Sequence, residues 1–358
     1  MSWFTPLRHG RAALHALGYL LTEGNAVGYI GWTGFGNLGD EALYAAVRRL
    51  LGPDRVLPYR TAGHVARMER RLHARFYRAV CLGGGTLVNT VPFLQRTDHA
   101  LTRNLPCFCL GTGVQDPALD EPHPPSLVQQ WVDHLDRFVY RGVRGPLSQR
   151  LLAEAGCRDV EVIGDPAILL GPKTFMPKTG NRTIGLNVGI SPVRMWCDPQ
   201  AVLRFAHGLC SSLRARGWRV VLFMVWPRDS ALVGELARML GGEATVISCY
   251  NSYRRFMRQA ARCDVFVGQK LHSTILAMSA GTPSVMLAYQ SKCLDFMASM
   301  GCEEFTMRLD QLDIDRALHL VDSLADNSAD HQRHIAAQLE RYRALQRGAV
   351  QRVRQMLA

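Results

Sequence analysis

The sequence predicts two doubly wound α/β domains facing one another across a cleft. Three observations support this. Strand-like and helix-like segments alternate through both halves of the 358 residues, and glycine-rich turns follow several strands directly. Between the halves, "LLGPKTFMPKTGNRT" (169–183) has no periodicity and reads as a linker. The expected boundaries are an N-terminal domain over 1–172, a C-terminal domain over 181–325 and a closing helix over 326–358.

Taken in order, apolar runs place strands at Val27–Ile30, Arg55–Leu57, Ala79–Leu82, Pro106–Leu110, Phe138–Tyr140 and Val160–Ile163. Helical patterns fill "DEALYAAVRRLL" (40–51), "GHVARMERRLHARF" (63–76), "SLVQQWVDHL" (126–135) and "PLSQRLLAEAG" (146–156). After the linker, strands are expected at Thr183–Val188, Arg219–Val225, Ala244–Ile247, Val265–Val267 and Pro283–Leu287. Helices are expected at 199–217, 230–240, 252–263 and 271–281, with a long polar helix over 327–357. Near the start, "RHGRAALHALGYLL" (8–21) reads as an amphipathic helix, since His15 and Gly18 interrupt its apolar run and no clear small-residue cleavage site follows.

Composition narrows the function. Lys and Arg outnumber Asp and Glu by 42 to 30, a formal charge of +12, which suits anionic small substrates, lipid headgroups or nucleic acid. No basic block and no aromatic–basic alternation occurs, so a dedicated nucleic-acid surface is the least favoured of the three. The ten cysteines include no C-x-x-C pair and several lie in apolar strands, which reads as buried thiols in a reducing cytoplasm. No run reaches the ~18 apolar residues of a membrane span.

Five motifs could carry chemistry. "GFGNLGDE" (34–41) fits G-x-G-x-x-G, but Asp40 and Glu41 would repel a phosphate at that helix N-terminus, and the expected ribose-binding acid is missing. A helix cap on a tight turn explains it equally well. "LGGGTLVNT" places Gly83, Gly84 and Gly85 at a strand end, either as an anion-binding concavity or as a close crossing. Arg144, in a strand-to-helix turn, offers a fork for carboxylate or phosphate, while Arg150 reads as solvated surface. Asp165, at a strand end before a proline, reads alone as a turn or cap residue.

"CDVFVGQKLHSTILAMSAGTPSVMLAY" is the most informative stretch. Lys270 and His272 start a helix at a strand's carboxyl end, where ligands collect, and His272 suits acid/base work near neutral pH. Tyr289 and Lys292 follow the next strand on the same side. Together the residues imply transfer from a small, multiply negative donor in an interdomain cleft.

In this order, "GNLGDEAL", "LGGGTLV", "VRGPLSQRLLAEAG", "GDPAILL" and "KLHSTILAMSAGTPSVMLAYQSKCLDFM" resemble the polysaccharide pyruvyl transferase family over roughly residues 27–300. Asn37, Gly39, Asp40 and Glu41 resemble its N-x-G-D-E turn rather than a dinucleotide fingerprint. The resemblance implies a GT-B-like fold with two Rossmann-like domains, the acceptor on the N-terminal side and the donor on the C-terminal side. It implies transfer of the pyruvyl group of phosphoenolpyruvate to a sugar of a polysaccharide or lipid-linked glycan, forming a ketal and releasing phosphate.

His272 then matches the catalytic histidine. Arg144 matches a donor-binding arginine, and Lys270 stands where arginine is usual, keeping the charge but losing the fork. Leu271, Gly83, Gly84, Gly85, Asn37, Asp40, Asp165, Tyr289 and Lys292 complete the expected binding set. No metal or cofactor is implied; "DID" (313–315) reads as a helix cap rather than a sugar-nucleotide motif. Work at the cytoplasmic membrane face is compatible with the charge. The alternatives are a GT-B glycosyltransferase using a nucleotide sugar, and a family member that binds glycans without catalysis.

Overall fold

A computed structural model describes residues 26–52, 55–61, 76–191 and 195–358. The helix expected over 8–21, and all of that over 63–76 but Phe76, lie outside the described residues. The first sheet contains β1 (Ala26–Ile30), β2 (Arg55–Pro58), β3 (Tyr77–Leu82), β4 (Gly85–Val88), β5 (Cys107–Val114), β6 (Tyr140–Val143) and β7 (Val160–Val162). Its order is β2-β1-β3-β5-β6-β7, and β4 continues the line of β3 along the far end of the long β5. Every pairing is parallel.

Helices α1 (Leu38–Leu51), α2 (Val91–Thr102), α3 (Pro125–Leu135) and α4 (Pro146–Glu154) connect these strands, with a 3-10 turn at Pro166–Leu170. α1 forms where the sequence supplies both ends. Asn37 accepts from the Gly39 amide, Asp40 and Glu41 face the positive end of the dipole, and Arg48 and Arg49 face the negative end. Alternate residues of β1 go to opposite faces: Ala26 and Ile30 join one apolar cluster, Val27 and Tyr29 the other. That is why the sheet is covered twice.

The second sheet contains β8 (Thr183–Asn187), β9 (Arg219–Met224), β10 (Thr245–Ser248), β11 (Val265–Gly268), β12 (Ser284–Ala288) and β13 (Thr306–Arg308). Its order, β10-β9-β8-β11-β12-β13, is the strand order of a dinucleotide-binding fold, and the topological switch lies between β8 and β11. Helices α5 (Pro199–Ala215), α6 (Ser230–Met239), α7 (Tyr253–Ala260), α8 (Leu271–Ser279), α9 (Ser291–Met300) and α10 (Ile314–Asp326) surround it. Asp198, Ser252 and Asp313 cap α5, α7 and α10 with their own side chains.

α11 (Ser328–Leu357) closes the chain and spans both units. Ile335, Leu339 and Tyr342 join the core of the second domain, whereas Ala349, Val350 and Val353 pack on the first sheet. The larger core is continuous across the boundary, since Leu38, Ala42, Leu43, Ala167 and Ile168 of the first domain belong to it. No helix among the described residues is long and apolar enough to cross a membrane.

Candidate active site

Two helix N-termini are completed from the opposite domain. Gly145 and Gln290, at the N-caps of α4 and α9, supply no side-chain cap. Asp295 of α9 accepts from the Leu147 and Ser148 amides at 3.0 and 3.2 Å and from Ser148 Oγ at 2.6 Å. In return, Asp120 of the first domain accepts from the Ser291 amide at 2.9 Å and from its hydroxyl. Trp196 Nε1 adds a bond to Leu119 O at 2.6 Å. These contacts fix the two strand-end surfaces against each other.

Lys270, at the N-cap of α8, sits at the switch point, its amide donating to Asn187 Oδ1 at 3.1 Å. Its ammonium bonds Ile190 O, lies 3.5 Å from Asp229 Oδ1, and is stacked 4.8 Å from the Trp226 ring centroid. Burial lowers its pKa, and Asp229 and then Asp40 oppose that. Buried Gln269 holds the neighbouring loop with two bonds to the Gly189 backbone, each 2.8 Å.

His272 occupies the next turn, packed against Gly39: a Cβ there would lie 2.5 Å from Nδ1. The third glycine of "GFGNLG" is thus required by a histidine of the other domain. His272 Nε2 lies 3.5 Å from Asp165 Oδ2, and both atoms are buried without a hydrogen-bond partner. The other Asp165 oxygen accepts from the Ala167 amide, and its carbonyl accepts from Gln346 of α11. The carboxylate is therefore held at a fixed place beside the imidazole.

Asp40 lies beside this pair. Burial raises its pKa to about 6, against the opposing pull of His272, Lys292 and Lys270. A carboxyl raised from its ordinary 3.8 makes folding stability greatest at low pH and lost progressively as pH rises from about 4 through 6. Asp40→Asn is therefore expected to gain stability over the parent as pH rises from 4 to 7, levelling off above. The gain is at most about 3 kcal/mol, at ~1.4 kcal/mol per pKa unit. Thermal melts across that range check it; a difference constant with pH would refute the assignment.

Lys292, in the first turn of α9, is half-buried, with its ammonium 4.5 Å from the Tyr289 ring centroid. No hydrogen bond holds that ammonium among the described residues. Burial lowers its pKa to about 8, with Arg144 and Lys270 adding to the fall. Tyr289 is 5% exposed, and burial raises its hydroxyl pKa.

Arg144 departs from the open fork expected of it. It is wholly buried, with Nε 3.4 Å from Asp295 Oδ2 and Nη2 3.4 Å from Thr86 Oγ1; only Nη1 lacks a partner. The glycine turn is also corrected in part. A Cβ at Gly83 would meet Tyr29 at 2.0 Å, and one at Gly84 would meet Leu43 at 2.3 Å, so both serve close packing. The Gly83 amide already donates to Ile30 O, while Gly85, at φ +104°, starts β4. Leu271 is 3% exposed within the core rather than on the cleft. Asn37 spends its side chain as the cap of α1.

The structure thus brings His272, Asp165, Asp40, Lys270, Lys292, Tyr289 and Arg144 into one electrostatic cluster at the domain boundary. Sequence reasoning missed Asp229, Asp295, Asp120 and Trp226. "WPRDS" carried Trp226 and Asp229 in a strand-to-helix turn, a signal available in principle; the other two act across domains and leave no local pattern. Among the described residues no group of three or more His, Cys, Asp or Glu side chains could hold a metal ion.

Two parallel-sheet α/β domains meeting at their strand ends, joined by a bridging terminal helix, define the GT-B fold class. A UDP-glucosyltransferase from Polygonum tinctorium that glucosylates indoxyl aligns with TM-score 0.55 at 12% identity, over 93% of this chain and 98% of that one. Os79 from O. sativa, in complex with UDP, gives 0.53 at 12% identity over 91% and 100%. Such likeness shows the fold alone. The chain belongs to the polysaccharide pyruvyl transferase family, whose model matches residues 37–291. Amylovoran biosynthesis protein AmsJ of Erwinia amylovora is 31% identical over 85 residues, 24% of this chain and 20% of that protein.

Proposed function

We propose that this transferase moves the pyruvyl group of phosphoenolpyruvate onto two hydroxyls of a sugar in a polysaccharide or lipid-linked glycan precursor. The observation that carries the reading is the His272–Asp165 pair set among three cationic side chains, in a chain of this family. Nε2 is buried against Asp165, so the reading assigns the proton transfer to Nδ1, on the side of Gly39. His272 delivers a proton to the donor's methylene carbon, and the first hydroxyl adds to the adjacent carbon while giving its proton to His272. Phosphate then leaves with its bonding electrons, the second hydroxyl closes the ketal, and that hydroxyl's proton leaves with phosphate.

The ammonium of Lys292, which no hydrogen bond holds among the described residues, suits the donor's carboxylate or phosphate, and buried Arg144 adds positive charge behind it. Lys270, already bound to Ile190 O and Asp229, adds charge at closer to fixed geometry. Where the acceptor is lipid-linked, the excess positive charge favours work at an anionic membrane face; binding to such vesicles unaffected by salt would count against that.

The test is phosphate release from phosphoenolpyruvate with a panel of aryl and lipid-linked glycosides. Release that depends on acceptor supports the reading. No release with any acceptor, together with turnover of a nucleotide sugar, would replace it by glycosyl transfer. Asp165→Asn is expected to lower kcat by ~10- to 100-fold through loss of the oriented imidazole, with KM for phosphoenolpyruvate little changed and the pH–rate profile displaced. A fall in stability with an unmoved profile would leave Asp165 only its turn-capping role.

A further inference from the structure

Beside the cleft, the first domain carries a patch that the catalytic cluster does not use. The loop after β1 exposes Trp32 (45%) and Phe35 (61%), and Val91 at the start of α2 is 50% exposed. Trp32 packs edge-on against Phe35 at 5.3 Å and against buried Phe93 at 5.4 Å, so the rings are fixed in place. The Gly34 amide donates to Glu41 Oε1 at 2.6 Å, which ties the loop to α1.

Arg96 continues the patch, its guanidinium 5.6 Å from the Phe93 ring centroid. Arg60 lies exposed just past β2, next to the carboxyl end of β1. Neither guanidinium has an acidic or hydrogen-bonding partner among the described residues. Burial lowers the pKa of Arg96, and the positive charge of Arg60 lowers it further. Two mutually repelling cations, unpaired among the described residues, stand beside stacked aromatic rings and suit a ligand that has both an apolar face and negative charge.

The position suits the acceptor. Phe35 is four residues from Gly39, which touches His272, so it lies within about 14 Å at the ~3.5 Å per residue of an extended chain. The carboxyl ends of β1 and β2 are also where ligands of such sheets gather. We infer that Trp32, Phe35, Arg60 and Arg96 form a subsite for an anion-bearing acceptor glycan, its sugar ring on the aromatic side chains and its carboxylate or diphosphate against the arginines. The inference rests on the proposed transfer to a glycan, and names the acceptor's chemical class.

The test measures binding without donor, so that its outcome is separate from pyruvyl transfer. Octyl glucoside, octyl glucuronide and octyl-diphosphoglucose are titrated below their micellar concentrations into the parent and into Arg60→Gln/Arg96→Gln. The charged probes are expected to bind about tenfold more tightly than the neutral one, with a salt-sensitive gap that closes in the double variant. Trp32→Ala is expected to weaken all three. Preference for the glucuronide assigns the anion to the glycan, and preference for the diphosphate assigns it to the lipid linkage. Equal binding or no binding of all three probes overturns the subsite. So does a variant that loses only adhesion to anionic-lipid vesicles, which would make the patch a membrane contact.

Discussion

His272→Ala is expected to lower kcat for acceptor-dependent phosphate release by ~10²- to 10⁴-fold, the range for loss of a positioned acid/base group. The side chain is partly exposed at the start of α8, and packs on Gly39, where there is no Cβ to displace. Removing it therefore leaves a small gap at a cleft rather than a hole in the core, and the melting temperature should change little. The KM for phosphoenolpyruvate should also hold, since Lys292, Lys270 and Arg144 remain. Parallel kinetics and melts check this. A variant with full turnover would remove His272 from the chemistry and pass the acid/base role to another side chain of the cluster.

Asp295→Ala is expected to destabilise the protein by about 3–5 kcal/mol, the range for breaking a buried ion pair from one side. Among the described residues the carboxylate is the sole charged partner of fully buried Arg144, and it is at once the cap of α4. Its loss strands a guanidinium and two amides where water cannot replace it. A surface pair would cost under about 1 kcal/mol, so denaturant unfolding separates the cases readily. Asp295→Asn should recover part of the loss, because its amide oxygen still accepts from the Leu147 and Ser148 amides. Equal stability of all three proteins would refute the buried-pair account.

Much of this was legible in the sequence because strand and helix periods are local. The alternation that predicts two doubly wound sheets survives intact, and Lys270 and His272 stand at the strand end where their motif places them. α9 was not anticipated, and the reason is physical: its cap is Asp120, some 170 residues away, so "YQSKC" carries no start signal. β4 opens on a glycine and β13 has only three residues, too short for a period to show. α2 did carry an apolar stripe at Phe93, Leu94, Ala100 and Leu101 that could have been read. The glycine turn misled because a bare Cα serves a ligand or a neighbouring tyrosine equally well; only the fold shows Tyr29 already there. Arg144 misled for a related reason, since nothing near it in sequence announces Asp295.

The reciprocal completion of α4 and α9 bears on how such proteins diversify. In many two-domain enzymes a half can be traded between relatives to graft a new specificity, because each half is finished on its own. Here the C-terminal half starts one of its helices on Asp120 of the N-terminal half, and lends Asp295 in exchange. A hybrid built from two relatives would inherit mismatched ends unless Asp120 with Ser291, and Asp295 with Ser148 and Arg144, travelled as sets. New acceptor preferences in this lineage should therefore arise by change within loops such as 31–36, with the seam left alone.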